Sequence, residues 1–299
     1  MKNVIDHPTK HSHVIENPWR KLRDFTDARI GLGRAGVSIP TAHLLAFQLA
    51  HAQAQDAVHL PLDTEKLIRD LKDEGVLPGS SDLIQLHSQA HDRSEYLQRP
   101  DLGRRLDDDS AQLLKQFNLE VYSGSTDNSA NRALKAFDLA VVIADGLSSL
   151  AIQQNTTPFL AELYQALSND DQSWQLAPIT LVKQARVAVG DEVGELLNAR
   201  CVLLMVGERP GLSSPDSLGL YMTWNPKVGL TDASRNCISN VRQGGMAYSE
   251  AVRKLMYLLK ESRSLKLSGV NLKDRTEEGD LTVVSGDKTA ATENFLVSD

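Results

Sequence analysis

Near position 118, the hydrophobic pattern of this 299-residue chain changes, and the change restricts its possible architectures. Beyond that point, short apolar runs alternate with amphipathic segments, which is typical of strands separated by helices. Such alternation favours a mostly parallel sheet with helices on both faces, because parallel strands need long crossover connections. The sequence therefore predicts a Rossmann-like α/β domain over residues 118–270.

The elements of this domain follow from the lengths of the apolar runs. The predicted strands are Leu139–Ala144, Leu176–Val182, Cys201–Val206 and Leu218–Trp224. The predicted helices are Phe159–Leu167, Val193–Leu197 and Val252–Leu259. We interpret the amide-rich segment 235–245 as a loop that precedes the last helix.

Residues 16–117 carry a helical pattern and predict a small helical N-terminal domain. Its main helices are Ala42–Ala57 and Leu62–Glu74, the second with Asp63 as its N-terminal cap and Gly75 at its end. Helical spacing continues at Leu106, Leu113, Leu114 and Phe117. The polar segments 1–15 and 271–299 are predicted to be disordered tails, and we expect no metal site at the three histidines of the first tail.

The charge balance and the apolar runs exclude several classes of protein. A formal net charge of -7 argues against a nucleic-acid partner, because binding to the phosphate backbone uses clustered Lys and Arg. No apolar run approaches the roughly 20 residues that span a bilayer, and the first residues lack a signal-peptide pattern. With only two cysteines, we expect a cytoplasmic protein without a disulfide framework.

The segment Gly31–Gly36 matches a dinucleotide-binding fingerprint letter by letter. That motif functions only between a buried strand and a helix that begins at its last glycine. The preceding residues 22–29 do not form an apolar strand pattern, and Pro40 separates the glycines from the next helix. We favour a connecting loop and keep a dinucleotide site as the alternative.

Histidine is confined to the first 91 residues. The α/β domain therefore has no Ser-His-Asp or Cys-His machinery and no histidine-based zinc site of its own. If this domain holds a cofactor, imidazole is not its ligand.

Polar residues follow two of the predicted strands, where ligands of open α/β sheets bind. Asp145 and Ser148 follow the first of these strands, as either helix caps or ligand contacts. Glu208 and Arg209 follow another strand in a Gly-Glu-Arg-Pro-Gly segment, which favours a recognition loop over a surface ion pair. Together with 235–245, these loops are predicted to form one polar ligand face.

The segment Arg99–Leu106 combines a proline, an aspartate and three arginines. We expect Asp101 to cap the following helix, with Arg104 and Arg105 offering guanidinium groups. A surface that faces a partner and a solvated helix start are both compatible with this pattern.

The ordered set of these segments resembles the small subunit of ethanolamine ammonia-lyase over about residues 17–272. The segments that carry the resemblance are Arg29–Gly36, Arg99–Leu106, Ile143–Ser148, Val206–Leu212, Cys237–Asn240 and Gln243–Gly245.

The resemblance implies half of an adenosylcobalamin site, closed by a large TIM-barrel subunit that binds ethanolamine. The cofactor contacts that it implies for this chain are Val187, Glu208 and Cys237. A carboxylate acceptor such as Glu208 suits the amide-tipped side chains of the corrin ring. The family binds the cofactor with its own dimethylbenzimidazole on cobalt, so this chain supplies no cobalt ligand, in agreement with the lack of histidine after His91.

The implied activity is that of a carbon-nitrogen lyase, which converts ethanolamine into acetaldehyde and ammonia through radical chemistry carried by the cofactor. The resemblance therefore implies no catalytic residue and no metal ligand in this chain. The resemblance also implies a bacterial cytoplasmic complex of six subunit pairs, a dodecamer. Some relatives have a longer N-terminal helix thought to direct them into a microcompartment; residues 1–16 are short and lack that pattern. Two alternatives remain, a free-standing nucleotide-dependent enzyme and a scaffold subunit that does not touch cofactor.

Overall fold

The computed structural model describes residues 13–77, 83–123 and 137–273. The strands in those ranges are β1 (Val14–Ile15), β2 (Arg34–Ala35), β3 (Ile84–His87), β4 (Phe137–Ala144), β5 (Thr180–Lys183), β6 (Ala199–Gly207), β7 (Leu218–Trp224) and β8 (Arg235–Val241). The α-helices there are α1 (Thr41–His59), α2 (Thr64–Asp73), α3 (Arg93–Gln98), α4 (Asp108–Ser123), α5 (Ser149–Ser168), α6 (Val189–Leu196) and α7 (Tyr248–Leu265). None of the helices in the described ranges is long and apolar enough to cross a membrane.

Six of the strands form one mixed sheet in the order β3-β5-β4-β6-β7-β8. The neighbours from β3 to β6 are parallel, whereas β7 is antiparallel to both β6 and β8. The loop 208–217 between β6 and β7 contains no helix, so the chain returns directly beside β6 in the antiparallel direction. The α/β class is thus confirmed with a mixed sheet, and the Rossmann-like description stays a prediction.

Helices cover both faces of the sheet, because the side chains of its central strands are apolar on both sides. On one face, Leu139, Val141 and Ile143 of β4 belong to a core cluster that includes residues of α2, α5 and α7. On the other face, Ala140 and Val142 belong to a second cluster with residues of α4 and α6. The predicted layer order, helices on both sides of a sheet, is confirmed.

The predicted helical domain 16–117 also contains two strands, β2 and β3, and β3 belongs to the main sheet. Residues Ile84–His87 pair in parallel with β5 at the edge of the sheet. Its four residues alternate between apolar and polar, which is too short a pattern to distinguish from a loop. Leu86 and Leu114 share a core cluster with β4, so residues on both sides of position 118 contribute to the same sheet and core.

Two further segments differ from their predictions. Residues 235–241 form the edge strand β8 instead of a loop, because Ile238 and Val241 point into the core while the intervening positions stay polar. Helix α5 begins ten positions before Phe159 and contains Pro158 within it, although proline usually ends a helix. The predicted strand Leu176–Val182 is shorter than expected: β5 begins at Thr180, and Leu176 forms only an isolated bridge with Leu139.

The margins of both predicted tails belong to the fold. Val14 and Ile15 pair with the two residues of β2, and Leu272 is buried in the core. Disorder is therefore wrong for these margins, while residues 1–12 and 274–299 lie outside the described residues.

Candidate functional site

The carboxyl end of β4 fixes a neighbouring loop through Asp145. Its two carboxylate oxygens accept hydrogen bonds from the backbone N–H groups of Gln184 and Ala185, at 3.0 and 3.1 Å. Burial raises the pKa of Asp145, against the opposing effect of these amide donors. Helix α5 is capped by Ser148, whose hydroxyl accepts from the N–H of Ala151 at 3.1 Å. Of the two predicted caps, only Ser148 therefore caps the helix, and Asp145 positions the loop before α6.

That loop carries Val187, one of the three predicted cofactor contacts. Tyr96 donates its hydroxyl hydrogen to the carbonyl of Ala185 at 3.1 Å. The backbone N–H of Arg186 donates to the carbonyl of Gly103 at 2.7 Å, and its guanidinium lies 4.3 Å from the centroid of the Tyr96 ring. These contacts hold Val187 half-buried just before α6.

Glu208, the second predicted contact, follows β6 and bridges three strands. Its backbone N–H donates to the carbonyl of Ser217 at 2.9 Å. Its Oε2 atom accepts from the Ser217 hydroxyl and, at 3.3 Å, from the backbone N–H of Asn240. The other oxygen, Oε1, has no hydrogen-bond donor among the residues that the structure describes. The carboxylate is thus oriented by one oxygen, and its second oxygen can accept from a ligand.

Cys237, the third predicted contact, is exposed on the edge strand β8. It lies opposite Tyr221 of β7 in the antiparallel register. Its sulfur also lies 3.3 Å from the hydroxyl oxygen of Ser239. Burial raises the pKa of Tyr221, and the neighbouring Cys237 and Glu208 raise it further. Tyr221 therefore lies beside Cys237 and close to Glu208, which are two of the three predicted contacts.

The sheet register explains how these positions meet on one face. Leu204 of β6, Tyr221 and Cys237 are direct neighbours across three strands. Helix α6 covers the first of these, since a Cβ added at Gly190 would lie 3.2 Å from Leu204. Val187 and Tyr221 are both partly buried against the core cluster under α6. Glu208, Tyr221 and Cys237 thus lie together at the sheet margin, and Val187 packs against the core cluster under α6 that Tyr221 also contacts. We refer to Val187, Glu208, Tyr221 and Cys237 as the sheet-margin site.

A family model described as ethanolamine ammonia-lyase light chain matches residues 16–273. The chain belongs to the ethanolamine ammonia-lyase light-chain family. Three curated relatives carry the name ethanolamine ammonia-lyase small subunit. The Pseudomonas fluorescens protein is 53% identical over 291 residues, covering 97% of this chain and 98% of the relative. The Pseudomonas aeruginosa protein is 52% identical over 284 residues, covering 95% of this chain and 95% of the relative. The Pseudomonas putida protein is 51% identical over 284 residues, covering 95% of this chain and 97% of the relative.

The segment Arg99–Leu106 of this light-chain family member makes internal contacts. Arg105 forms two hydrogen bonds of 2.9 Å with the carboxylate of Glu192 in α6, which also accepts from the backbone N–H of Leu106. Asp101 pairs with Arg99 and makes no capping bond, so its predicted capping role is wrong. Hydrogen bonding to Arg99 lowers the pKa of Asp101. Arg105 therefore anchors α6 within the chain.

The glycine segment of this light-chain family member connects β1, β2 and α1. A Cβ at Gly33 would lie 2.5 Å from the carbonyl oxygen of Ile15, and Gly31, Gly33 and Gly36 all have positive φ. No strand of the main sheet leads into these glycines, and α1 begins only at Thr41. The connecting loop is confirmed, and the structure lacks the context that the dinucleotide alternative requires.

Proposed function

We propose that this chain is the small subunit of an adenosylcobalamin-dependent ethanolamine ammonia-lyase and that its sheet-margin site faces the cofactor. The large subunit binds ethanolamine and closes the other side of the site. The observation that carries this proposal is the placement of Glu208 and Cys237 beside the same tyrosine, Tyr221, at one margin of the sheet. A bacterial cytoplasmic complex of six subunit pairs stays a prediction from the resemblance.

The side chains of the site suit a corrin ring. Corrin has peripheral amide groups, whose N–H bonds are donors, and Glu208 Oε1 is an acceptor without a donor among the described residues. Val187 offers an apolar contact, and Cys237 offers a small, polarizable one. Adenosylcobalamin supplies the radical chemistry when bound. The role of this chain is to bind and orient the macrocycle and to exclude water from its side of the site.

An exposed apolar helix supports the proposal that the chain works as a subunit. Residues 41–55 of α1 contain no charged residue. Its large exposed side chains are Leu44, Leu45, Phe47 and Leu49. An exposed apolar surface of this kind marks an interaction site. This observation favours an assembled subunit over a free-standing enzyme.

The test is co-expression with a large subunit of the same enzyme, followed by titration of the purified complex with cyanocobalamin. For Glu208→Ala we expect normal assembly by size-exclusion chromatography but a roughly 10-fold to 100-fold weaker cobalamin affinity, as for loss of a hydrogen bond to a charged group. Ammonia release should fall at limiting cofactor. Glu65→Ala is the matched control, because Glu65 is an exposed glutamate in the first turn of α2.

Two outcomes would overturn the proposal. Unchanged cobalamin affinity in an intact Glu208→Ala complex would favour the scaffold alternative. Failure of the unaltered chain to associate with the large subunit would contradict its assignment as a subunit of this enzyme.

A further inference from the structure

Gly219 of β7 lies where a side chain would collide with Glu208. A Cβ added there would be 2.9 Å from Glu208 Oε1, 3.0 Å from its Cγ and 3.2 Å from Cε2 of Tyr221. The backbone at Gly219 does not have positive φ, so its conformation is open to any residue. Glycine normally weakens a strand interior and often marks a place where another group approaches closely. At this position it provides the space that the carboxylate occupies.

Tyr221 stands on the same side of β7, two residues further along the strand. The alternation of a strand places both residues on one face. Glu208 approaches this face from the end of β6, and Cys237 approaches it from β8. The tyrosine is therefore the cross-strand neighbour of Cys237, and its ring lies close to the Glu208 carboxylate beside Gly219.

We propose that Gly219 and Tyr221 are positioning residues for cobalamin binding: Gly219 leaves the space for the Glu208 carboxylate, and the Tyr221 ring packs beside the Cys237 side chain and sets its position. This inference rests on the proposed function. Neither residue was singled out from the sequence, and neither needs to touch the macrocycle to act. Their influence on the cofactor passes through Glu208 and Cys237, which makes it measurable as a coupling between variants.

Gly219→Ala separates this role from a structural one. The group nearest the new Cβ is the end of a flexible side chain, so the carboxylate can move aside without moving the backbone. Alanine also gives the unfolded chain less conformational entropy than glycine does, so less entropy is lost on folding. The thermal unfolding midpoint should therefore stay unchanged or rise. The displaced Glu208 oxygen should then bind the corrin poorly.

The experiment is a double-mutant cycle on the complex with the large subunit, with cyanocobalamin affinity measured by absorbance titration. Gly219→Ala should weaken binding by about tenfold in the unaltered background and by less than twofold in the Glu208→Ala background. Tyr221→Leu, which removes the aromatic ring that packs beside Cys237, should weaken binding by about fivefold, and this effect should vanish in the Cys237→Ala background.

The outcomes distinguish this inference from the proposed function. If Glu208→Ala binds cyanocobalamin normally, the proposed function fails. If Glu208→Ala binds weakly while both Gly219→Ala and Tyr221→Leu bind normally, the proposed function survives and the positioning roles are wrong. Equal losses with and without Glu208 or Cys237 would also overturn the inference, because the effect would then not pass through those side chains.

Discussion

Breaking the ion pair between Arg235 and Asp191 should strongly destabilise the fold. Arg235 begins β8, Asp191 lies in the first turn of α6, and both side chains are only 3% exposed. Arg235 also bonds Asp232 at 2.9 Å and the carbonyl of Leu230 at 3.2 Å. Arg235→Met keeps much of the side-chain length but removes every one of these donors. The carboxylate of Asp191 would then be buried without its cation.

Removal of one partner from a buried ion pair costs about 3–5 kcal/mol, because the remaining charge keeps its desolvation penalty. That is a large fraction of the roughly 5–15 kcal/mol that stabilises a typical domain. Urea unfolding of the isolated chain, followed by tryptophan fluorescence, should show a midpoint about 1–2 M lower than that of the unaltered chain. The double variant Asp191→Asn/Arg235→Met should recover most of this loss, because no unpaired charge remains buried.

The pH dependence supplies a second check. Burial raises the pKa of Asp191, and the nearby arginine opposes that rise. Without Arg235 the folded-state pKa of Asp191 rises further above its unfolded value, so the folded state binds a proton more readily than the unfolded chain. The deficit of Arg235→Met should be largest above the folded-state pKa and should shrink as the pH falls through it. A loss below about 1 kcal/mol at pH 7, or a double variant as unstable as the single one, would refute the reasoning.

Four further predictions concern other parts of the structure. Gly146→Ala should lower stability by on the order of 3 kcal/mol in urea unfolding, since φ is positive and the new Cβ would lie 2.3 Å from the carbonyl oxygen at the end of β6. Gly75→Ala, with positive φ but open space, should cost only about 1 kcal/mol. Cys237 should react rapidly with a thiol reagent in the cofactor-free complex and slowly when cyanocobalamin is bound. Cys201 should react only on unfolding, because it is buried and burial raises the pKa of its thiol. Equal rates for both cysteines would contradict the structure. Arg105→Lys should lose the paired hydrogen bonds to Glu192 of α6 and about 1 kcal/mol of stability. An unchanged urea midpoint would show that the two guanidinium hydrogen bonds do not stabilise the fold.

The buried strands were predictable because their side chains are apolar on both faces. Strands β4 and β6 appear in the sequence as continuous apolar runs, which few other structures produce. The edge strands β3 and β8 are half polar, and their assignment depends on neighbours that are distant in sequence. The antiparallel direction of β7 also depends on the path of the loop 208–217, which composition does not specify.

The same difference separates the residues of the candidate site: some have a local sequence signal, and others depend on strand register. Glu208 stands out locally, because glycines and a proline surround a single carboxylate. Gly219 and Tyr221 have no such local signal: a glycine and a tyrosine inside an apolar run suggest only a strand. Their relation to Glu208 exists because a loop without a helix folds β7 back against β6, which brings residue 219 beside residue 208. Local motifs can therefore identify the groups that face a ligand, whereas the residues that position those groups emerge only from strand register. If the double-mutant cycles show coupling, the search for functional residues in this family should extend to small residues opposite each recognised motif.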